Sequence, residues 1–417
     1  MFVFGYLAIA LEHRFFINKA ATSLILAVLL WIIVSATIPL EQLQNHITLV
    51  SSDLFGLVVF LITSMTLVEI LLHYRFFDVI EQRLRKKGWN RHTLGWAMTW
   101  LTFLFSMLVP NFTAAIVAIQ IVRRFFPPKE LLYMAALMVI AANAGGTFSP
   151  VGDVVTLLLW FAGTFEAKEL LLQGVGPALA LTLVSGWLLT SKIERKTPIT
   201  PEDAQEFRTP SRSEWAIIIT ALISFLLPLP ASAFGLPPYF GLLAGLGAVW
   251  FLVDIAKHIR PKASHLEANI HHFLRQADIE SIQFFVGVLL SVAALYALGI
   301  LDSVTHWLLG SEPSIMRLVA SFTGLGITSA FIDNVPLAAA AISSLHNVSS
   351  SFWILLSITV GTGGSLIVIG SAAGVVAMGM VKELTFAYYM RIATIPAFLG
   401  FIAAIIVWTL QYFFFVL

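Results

Sequence analysis

The sequence predicts an all-α polytopic membrane protein of inverted-topology repeats, each with a re-entrant helical hairpin and a broken helix. Three observations lead there. The 417 residues are 59% hydrophobic and only 11% charged, whereas a soluble domain carries about 25% charged residues. Two polar, glycine-containing segments lie within apolar runs: Asn143-Ala144-Gly145-Gly146-Thr147-Phe148-Ser149-Pro150-Val151-Gly152-Asp153 and Gly361-Thr362-Gly363-Gly364-Ser365-Leu366-Ile367-Val368-Ile369-Gly370-Ser371. A shift of 218 residues carries Gly145-Gly146 onto Gly363-Gly364 and Gly152 onto Gly370. Finally, Lys and Arg cluster in alternate loops, as the positive-inside rule requires of a spanning chain. Lipid cannot satisfy exposed backbone groups, so the glycine-broken segments must be buried or line a cavity. A matched pair of breaks in two halves is the pattern of a secondary transporter's binding site.

In chain order, apolar runs suited to spanning fall at 2–11, 20–39, 54–74, 169–190, 214–230, 238–256, 282–301 and 392–416. The first is short for a complete span and lacks the basic flank and cleavage site of a signal peptide. In 94–126 two shorter apolar arms meet at Val109-Pro110-Asn111-Phe112-Thr113, and in 314–349 two more meet at Ile332-Asp333-Asn334-Val335-Pro336. Each arm suits a helical hairpin that enters and leaves on one side. A broken helix follows each hairpin, at 130–164 and at 352–381. The stretches 76–88 and 264–280 mix apolar and charged residues at helical spacing and suit the membrane interface.

Loop charge orders these elements. Arg14 and Lys19 mark the first loop; none marks the next, around Glu41 and Asp53; then come Arg75 to Arg91, Arg123 to Lys129, the 191–213 linker and the 257–281 loop. All the basic clusters fall on the cytoplasmic side only if 94–126 returns to its starting side and 130–164 counts as one span. The expected organisation is a first repeat over 1–190, a cytoplasmic linker over 191–213 and a second repeat over 214–417, with both termini outside. A bacterial inner membrane is the expected location.

Composition also excludes chemistry. No cysteine is present, so disulfides, thiolate metal sites and thiol catalysis are ruled out. A net charge of +1 gives no sign of a nucleic-acid partner. Where a helix stops at depth its carbonyls face a cation, and where the next begins its N–H groups and dipole favour an anion. A hard cation takes several oxygen ligands. The first half offers Asn111, Thr113, Asn143, Thr147, Ser149 and Asp153, with the backbone at Gly145 and Gly146. The second offers Asp333, Asn334, Ser365 and Ser371, with the backbone at Gly363 and Gly364.

Asp153 and Asp333 are the decisive candidates. An Asp in mid-helix costs about 2.5–3.5 kcal/mol to insert, so acids at that depth are functional by default. Burial favours a protonated carboxyl and a bound cation the ionised form, so one group can hold either in turn. Each Asp also stands where it can cap a helix. Glu69 and His73 read as a structural pair, and Glu12-His13-Arg14 and Asp254/Lys257/His258 as interfacial anchors. Gly241, Gly245 and Gly247 read as packing glycines, and Trp31, Trp89, Trp96, Tyr239 and Trp408 as interface aromatics.

Asn143–Asp153, Phe331–Ala341 and Gly361–Gly374, with the opening Ile9-Ala10-Leu11-Glu12-His13 and Asn18-Lys19, resemble the NhaD-type sodium/proton antiporters of the ion transporter superfamily. The resemblance covers nearly the whole chain. It implies a dimer whose hairpins and broken helices slide as a unit against a scaffold, in an elevator-like motion. Two departures stand out. The family's first hairpin tip reads Asp-Asn-Leu-Thr where this chain has Pro110-Asn111-Phe112-Thr113, and the family carries a Ser where Val368 stands. The expected activity is exchange of cytoplasmic Na+, with Li+ as a further candidate, for external H+. No cofactor is expected, and the lipid bilayer and a second copy of the chain are the expected partners.

Two other readings use the same residues. An organic-anion or oxyanion carrier of the same fold would want Ser-Asn-Thr tips, and a tip Asp would repel its substrate. An intramembrane aspartyl protease needs Gly-x-Gly-Asp, against Pro150-Val151-Gly152-Asp153 here. A non-transporting membrane scaffold has no use for two acids at depth, and catalysis of any kind is not expected.

Overall fold

Long apolar runs become long helices here, Ala167–Thr190 even across Pro177, and the polar breaks between shorter runs become corners. The computed structural model describes residues 2, 4–5, 18–195, 209–259, 273–274, 278–301, 314–345 and 348–415. The run 2–11, the anchor Glu12-His13-Arg14, the centre of the linker and most of 264–280 fall largely outside these residues.

The chain begins with α1 (Lys19–Thr37), capped by the Asn18 side chain, and α2 (Leu40–His73). Arg75, at φ 58°, turns the corner into the amphipathic α3 (Phe76–Lys86). The first pair of short helices is α4 (Arg91–Ser106) and α5 (Asn111–Val122). The first interrupted helix is α6 (Pro128–Gly146) and α7 (Val154–Phe161), closed by α8 (Ala167–Thr190).

After the linker, Ser211 and Glu214 form a capping box at the head of α9 (Arg212–Ser224). Pro228 opens the short α10 (Pro228–Ala233), and α11 (Tyr239–Ile259) and α12 (Ile279–Ala297) follow. The second pair of short helices is α13 (Ile315–Thr328) and α14 (Asn334–Ser344). The second interrupted helix is α15 (Ser350–Gly363) and α16 (Ala372–Met380), and α17 (Phe386–Ile392) and α18 (Thr394–Phe415) end the described chain.

Among the described residues, seven helical segments are long and apolar enough to cross a membrane: Lys19–Thr37, Leu40–His73, Ala167–Thr190, Arg212–Ala233, Tyr239–His258, Ile279–Ala297 and Thr394–Phe414. They coincide with seven of the eight predicted runs, and the chain is an all-helical polytopic membrane protein.

Several local expectations are corrected. The span expected from residue 54 starts at Leu40, because Leu40–Asp53 contains no Gly or Pro and continues one helix after Pro39. Asn143, Gly145 and Gly146 belong to α6, and Gly361 and Gly363 to α15 with Gly364 as its C-cap, so the breaks begin at Thr147 and Gly364. Trp408 is not an interface aromatic: it is buried in the core, where its indole N–H donates to Ser351 O at 3.1 Å.

The glycine pairs serve close packing. A Cβ on Gly145 would collide with the Phe103 carbonyl of α4, and one on Gly363 with the Gly326 carbonyl of α13. Gly241 and Gly245 likewise admit Leu227 and Ser224, whereas the packing role expected of Gly247 is corrected, since it faces open space among the described residues.

The helices sort into two packing groups. In one, α6 packs on α4, α5, α8, α15 and α16, while α15 packs on α7, α13, α14 and α18, and α8 lies along α18. In the other, α1 lies along α12, and α2 packs on α9, α11 and α12. Contact between the groups runs mainly through α12 on α14 and α2 on α7. At one end of α5, buried Glu81 of α3 pairs with Arg124 at 2.7 Å and Arg85 at 2.9 Å, and Arg85 also covers the Phe125 ring.

Candidate functional site

The two interrupted helices share one local geometry. Asp153 caps α7 at φ −141°, ψ 147°, and Ser371 caps α16 at φ −142°, ψ 148°. At the tips before α5 and α14, Pro110 (φ −51°, ψ 132°) and Asp333 (φ −50°, ψ 140°) also match. Ser106 Oγ donates to Ala142 O at 2.6 Å, and Ser329 Oγ donates to Val360 O at 2.7 Å. These two serines secure each tip to its neighbouring helix. Sequence reading missed them, although a shift of 223 residues relates both the serines and Asn111 to Asn334.

The breaks bring most of the candidate side chains together. Asn111 Nδ2 donates to Asn143 Oδ1 at 3.1 Å. Asn143, fully buried, donates from Nδ2 to Ser365 Oγ at 2.8 Å and Ser371 Oγ at 3.1 Å. One amide therefore joins the tip before α5, the end of α6 and the whole second break. Ser357 Oγ reaches back across the same contact to Thr147 O at 3.0 Å, and Tyr389 OH holds Ser365 O at 2.8 Å. Neither Ser357 nor Tyr389 stood out in the sequence, because a single Ser or Tyr in an apolar helix carries no pattern.

Asp153 is 4% exposed. Its Oδ1 accepts from Val155 N at 3.5 Å, a weak cap bond, and its Oδ2 has no hydrogen-bond partner among the described residues. An unpaired carboxylate oxygen shut away from water costs free energy unless something binds it. Asp333, at the head of α14, is half-buried; its Oδ1 accepts from Val335 N at 3.1 Å. Helices α7 and α14 pack together, so the two acids cap neighbouring helices.

The remaining candidates divide. Thr147 is buried beside Asp153, and both side chains face Gly361. Ser149 works within the break: its carbonyl accepts Thr156 Oγ1 at 2.8 Å and its hydroxyl accepts Val151 N at 3.4 Å. Asn334 and Thr113 are buried at and beside the tips, outside the hydrogen-bonded chain centred on Asn143. Val368, where the resembled family has Ser, is wholly buried in a short 3-10 turn.

A cavity of about 300 Å³ lies between α2 and α12 on one side and α7 and α14 on the other. Its walls reach Leu158 and Ala339, about 7–9 Å of helix rise from Asp153 and Asp333. His46, Tyr296 and Ser343 supply its polar groups in an otherwise apolar lining.

Chemically, this is a buried cluster of oxygens around helix ends, with one acid whose second oxygen has no hydrogen-bond partner among the described residues. Such a set can hold a small hard cation or a proton.

Comparison with known proteins places the chain among transporters. The profile of the family described as "Citrate transporter" matches residues 6–361. The chain is 35% identical to Sodium/proton antiporter 2 of Arabidopsis thaliana, across 97% of each protein. It is 29% identical to the Na(+)/H(+) antiporter NhaD of Halomonas elongata, over 98% of this chain and 86% of that one. It is 28% identical to NhaD of Vibrio cholerae, over 97% of this chain and 89% of that one.

Proposed function

Because the chain belongs to the citrate transporter family, in its NhaD-type sodium/proton antiporter group, we propose that it exchanges cytoplasmic Na+ for external H+. Li+ is a second cargo of the same hard-cation class. The observation that carries this reading is Asp153: a buried acid at the head of a half-helix, with Oδ2 unpartnered among the described residues and Asp333 capping the helix packed beside it.

The carboxyl holds a proton or a cation, and repulsion between two ionised acids disfavours leaving both empty. Asn111, Thr113, Asn143, Thr147, Ser149, Asn334, Ser365 and Ser371 supply the surrounding oxygens, with the backbone at Gly145, Gly146, Gly363 and Gly364. Ser149 and the Asn143 chain contribute mainly by fixing the shape of the breaks. The cavity beside α7 and α14 gives water and ions a route toward the acids.

The matched geometry of the two breaks supports two repeats, over 1–190 and 214–417, joined by the 191–213 linker. The pairs α4/α5 and α13/α14 are their re-entrant hairpins. The two packing groups support an elevator-like exchange, with the helices around α6 and α15 moving against those around α2 and α12. A homodimer in a bacterial inner membrane, with both termini outside, completes the proposal.

A dye-based proton flux assay in proteoliposomes tests it, with Na+, Li+, K+ and citrate added in turn. Na+ is expected to drive proton movement, and Asp153→Asn and Asp333→Asn each to abolish it in a folded protein. Normal exchange in both variants would remove the mechanism. Flux driven by citrate alone would favour the family's anion-carrier reading instead.

A further inference from the structure

Asn143, Thr147 and Asp153 in the first half correspond, by the 218-residue shift, to Gly361, Ser365 and Ser371 in the second. The correspondence rests on backbone geometry: Ala142 and Val360 accept equivalent serine bonds, and Asp153 and Ser371 share cap angles. Each half's member of the Asn143/Gly361 pair faces the opposite half. Asn143 reaches Ser365 and Ser371. Gly361 faces Thr147 and Asp153: a Cβ there would collide with Thr147 Cγ2 and lie 2.8 Å from Asp153 Oδ2.

The two arrangements fill equivalent places in opposite ways. One sets a large amide against two small hydroxyl residues. The other sets a missing side chain against a larger Thr and an acid. In the first, the amide satisfies both hydroxyls. In the second no amide is present, and Asp153 Oδ2 stays unpartnered.

We propose that Gly361 is a specificity-determining position: its missing side chain both admits the Asp153 carboxylate and withholds the neutral donor that would make it structural. This rests on the reading of Asp153 as the transport acid. Gly361 thus leaves the acid of the first half exchangeable, while Asn143 ties the hydroxyls of the second half into a fixed hydrogen-bond network. A side chain at 361 crowds Oδ2 and weakens cation binding before it affects the turnover of loaded protein.

The test measures sodium-dependent proton flux in proteoliposomes at several sodium concentrations, with thermal melting in detergent as the check on folding. Asp153→Asn tests the underlying reading; parent-like exchange in that variant would overturn it and this proposal together. Gly361→Ala combined with Thr147→Ser removes the methyl that a new Cβ would strike while leaving the Cβ beside Oδ2. This double variant is expected to stay folded and to raise the apparent KM for sodium by about tenfold or more, equivalent to about 1.4 kcal/mol of binding. A parent-like KM, with Asp153→Asn inactive, would overturn the role of Gly361 alone.

A second measurement does not depend on transport. Gly361→Asn is expected to lower the melting temperature. Adding Thr147→Ser and Asp153→Ser, which copies the Asn143 arrangement, is expected to restore much of it. No recovery would overturn the reciprocal packing.

Discussion

At the scale of single residues, the site depends on one amide. Asn143, near the end of α6, links the tip before α5 to the second break through three hydrogen bonds. Asn143→Ala would leave buried polar partners unsatisfied, at about 1–3 kcal/mol for each stranded group. It is expected to lower the melting temperature by several degrees, roughly 2–4 °C per kcal/mol for a large domain, and to abolish sodium-driven proton flux. A variant that keeps both stability and flux would show that Ser365 and Ser371 do not need it. Asn143, Asp153, Ser365 and Ser371 were legible in the sequence because a polar residue at bilayer depth is costly and therefore conspicuous. Gly361 was legible as part of a motif, but not as a partner of Asp153. That contact joins residues from opposite halves, and no local pattern encodes it.

At the scale of elements, the glycine pairs set how closely the short helices approach the broken ones. Gly145 and Gly363 each pack against a backbone carbonyl, which cannot turn aside as a side chain can. Gly145→Ala and Gly363→Ala are therefore expected to destabilise by about 1–3 kcal/mol or more, the range for overpacking. Gly247→Ala, facing open space within α11, is expected to be neutral or slightly stabilising. Thermal melting of the three variants checks the contrast, and equal losses would refute it. The position of nearly every element was readable from apolar run length. The starts of the breaks were not, because glycine reads as a helix breaker until the close neighbour that requires it is known. The start of α2 was misplaced for a related reason: polar residues suggested a loop where helix propensity continued.

At the scale of the whole molecule, two groups of helices meet along α12/α14 and α2/α7. If one slides on the other, a tether across that seam must stop it. The chain has no cysteine of its own, so cysteines at Val292 and Ala339, on opposite walls of the cavity, can be joined without background. A cleavable bifunctional thiol reagent is expected to block sodium-driven proton flux and its cleavage to restore it; undiminished flux in fully tethered protein would rule out sliding there. The spans and the paired breaks were legible from hydropathy and repetition, but the seam was not, since which apolar faces meet depends on packing that periodicity leaves open. Helix α2 has one more implication. Its 34 residues measure about 50 Å, well beyond a hydrocarbon core of about 30 Å. Several turns rich in Glu, Gln, Asn and His thus stand clear of the lipid as a stiff mast. A nanobody gripping that mast between Glu41 and Gln44, short of His46 in the cavity wall, would supply a rigid landmark for imaging and leave the acids untouched.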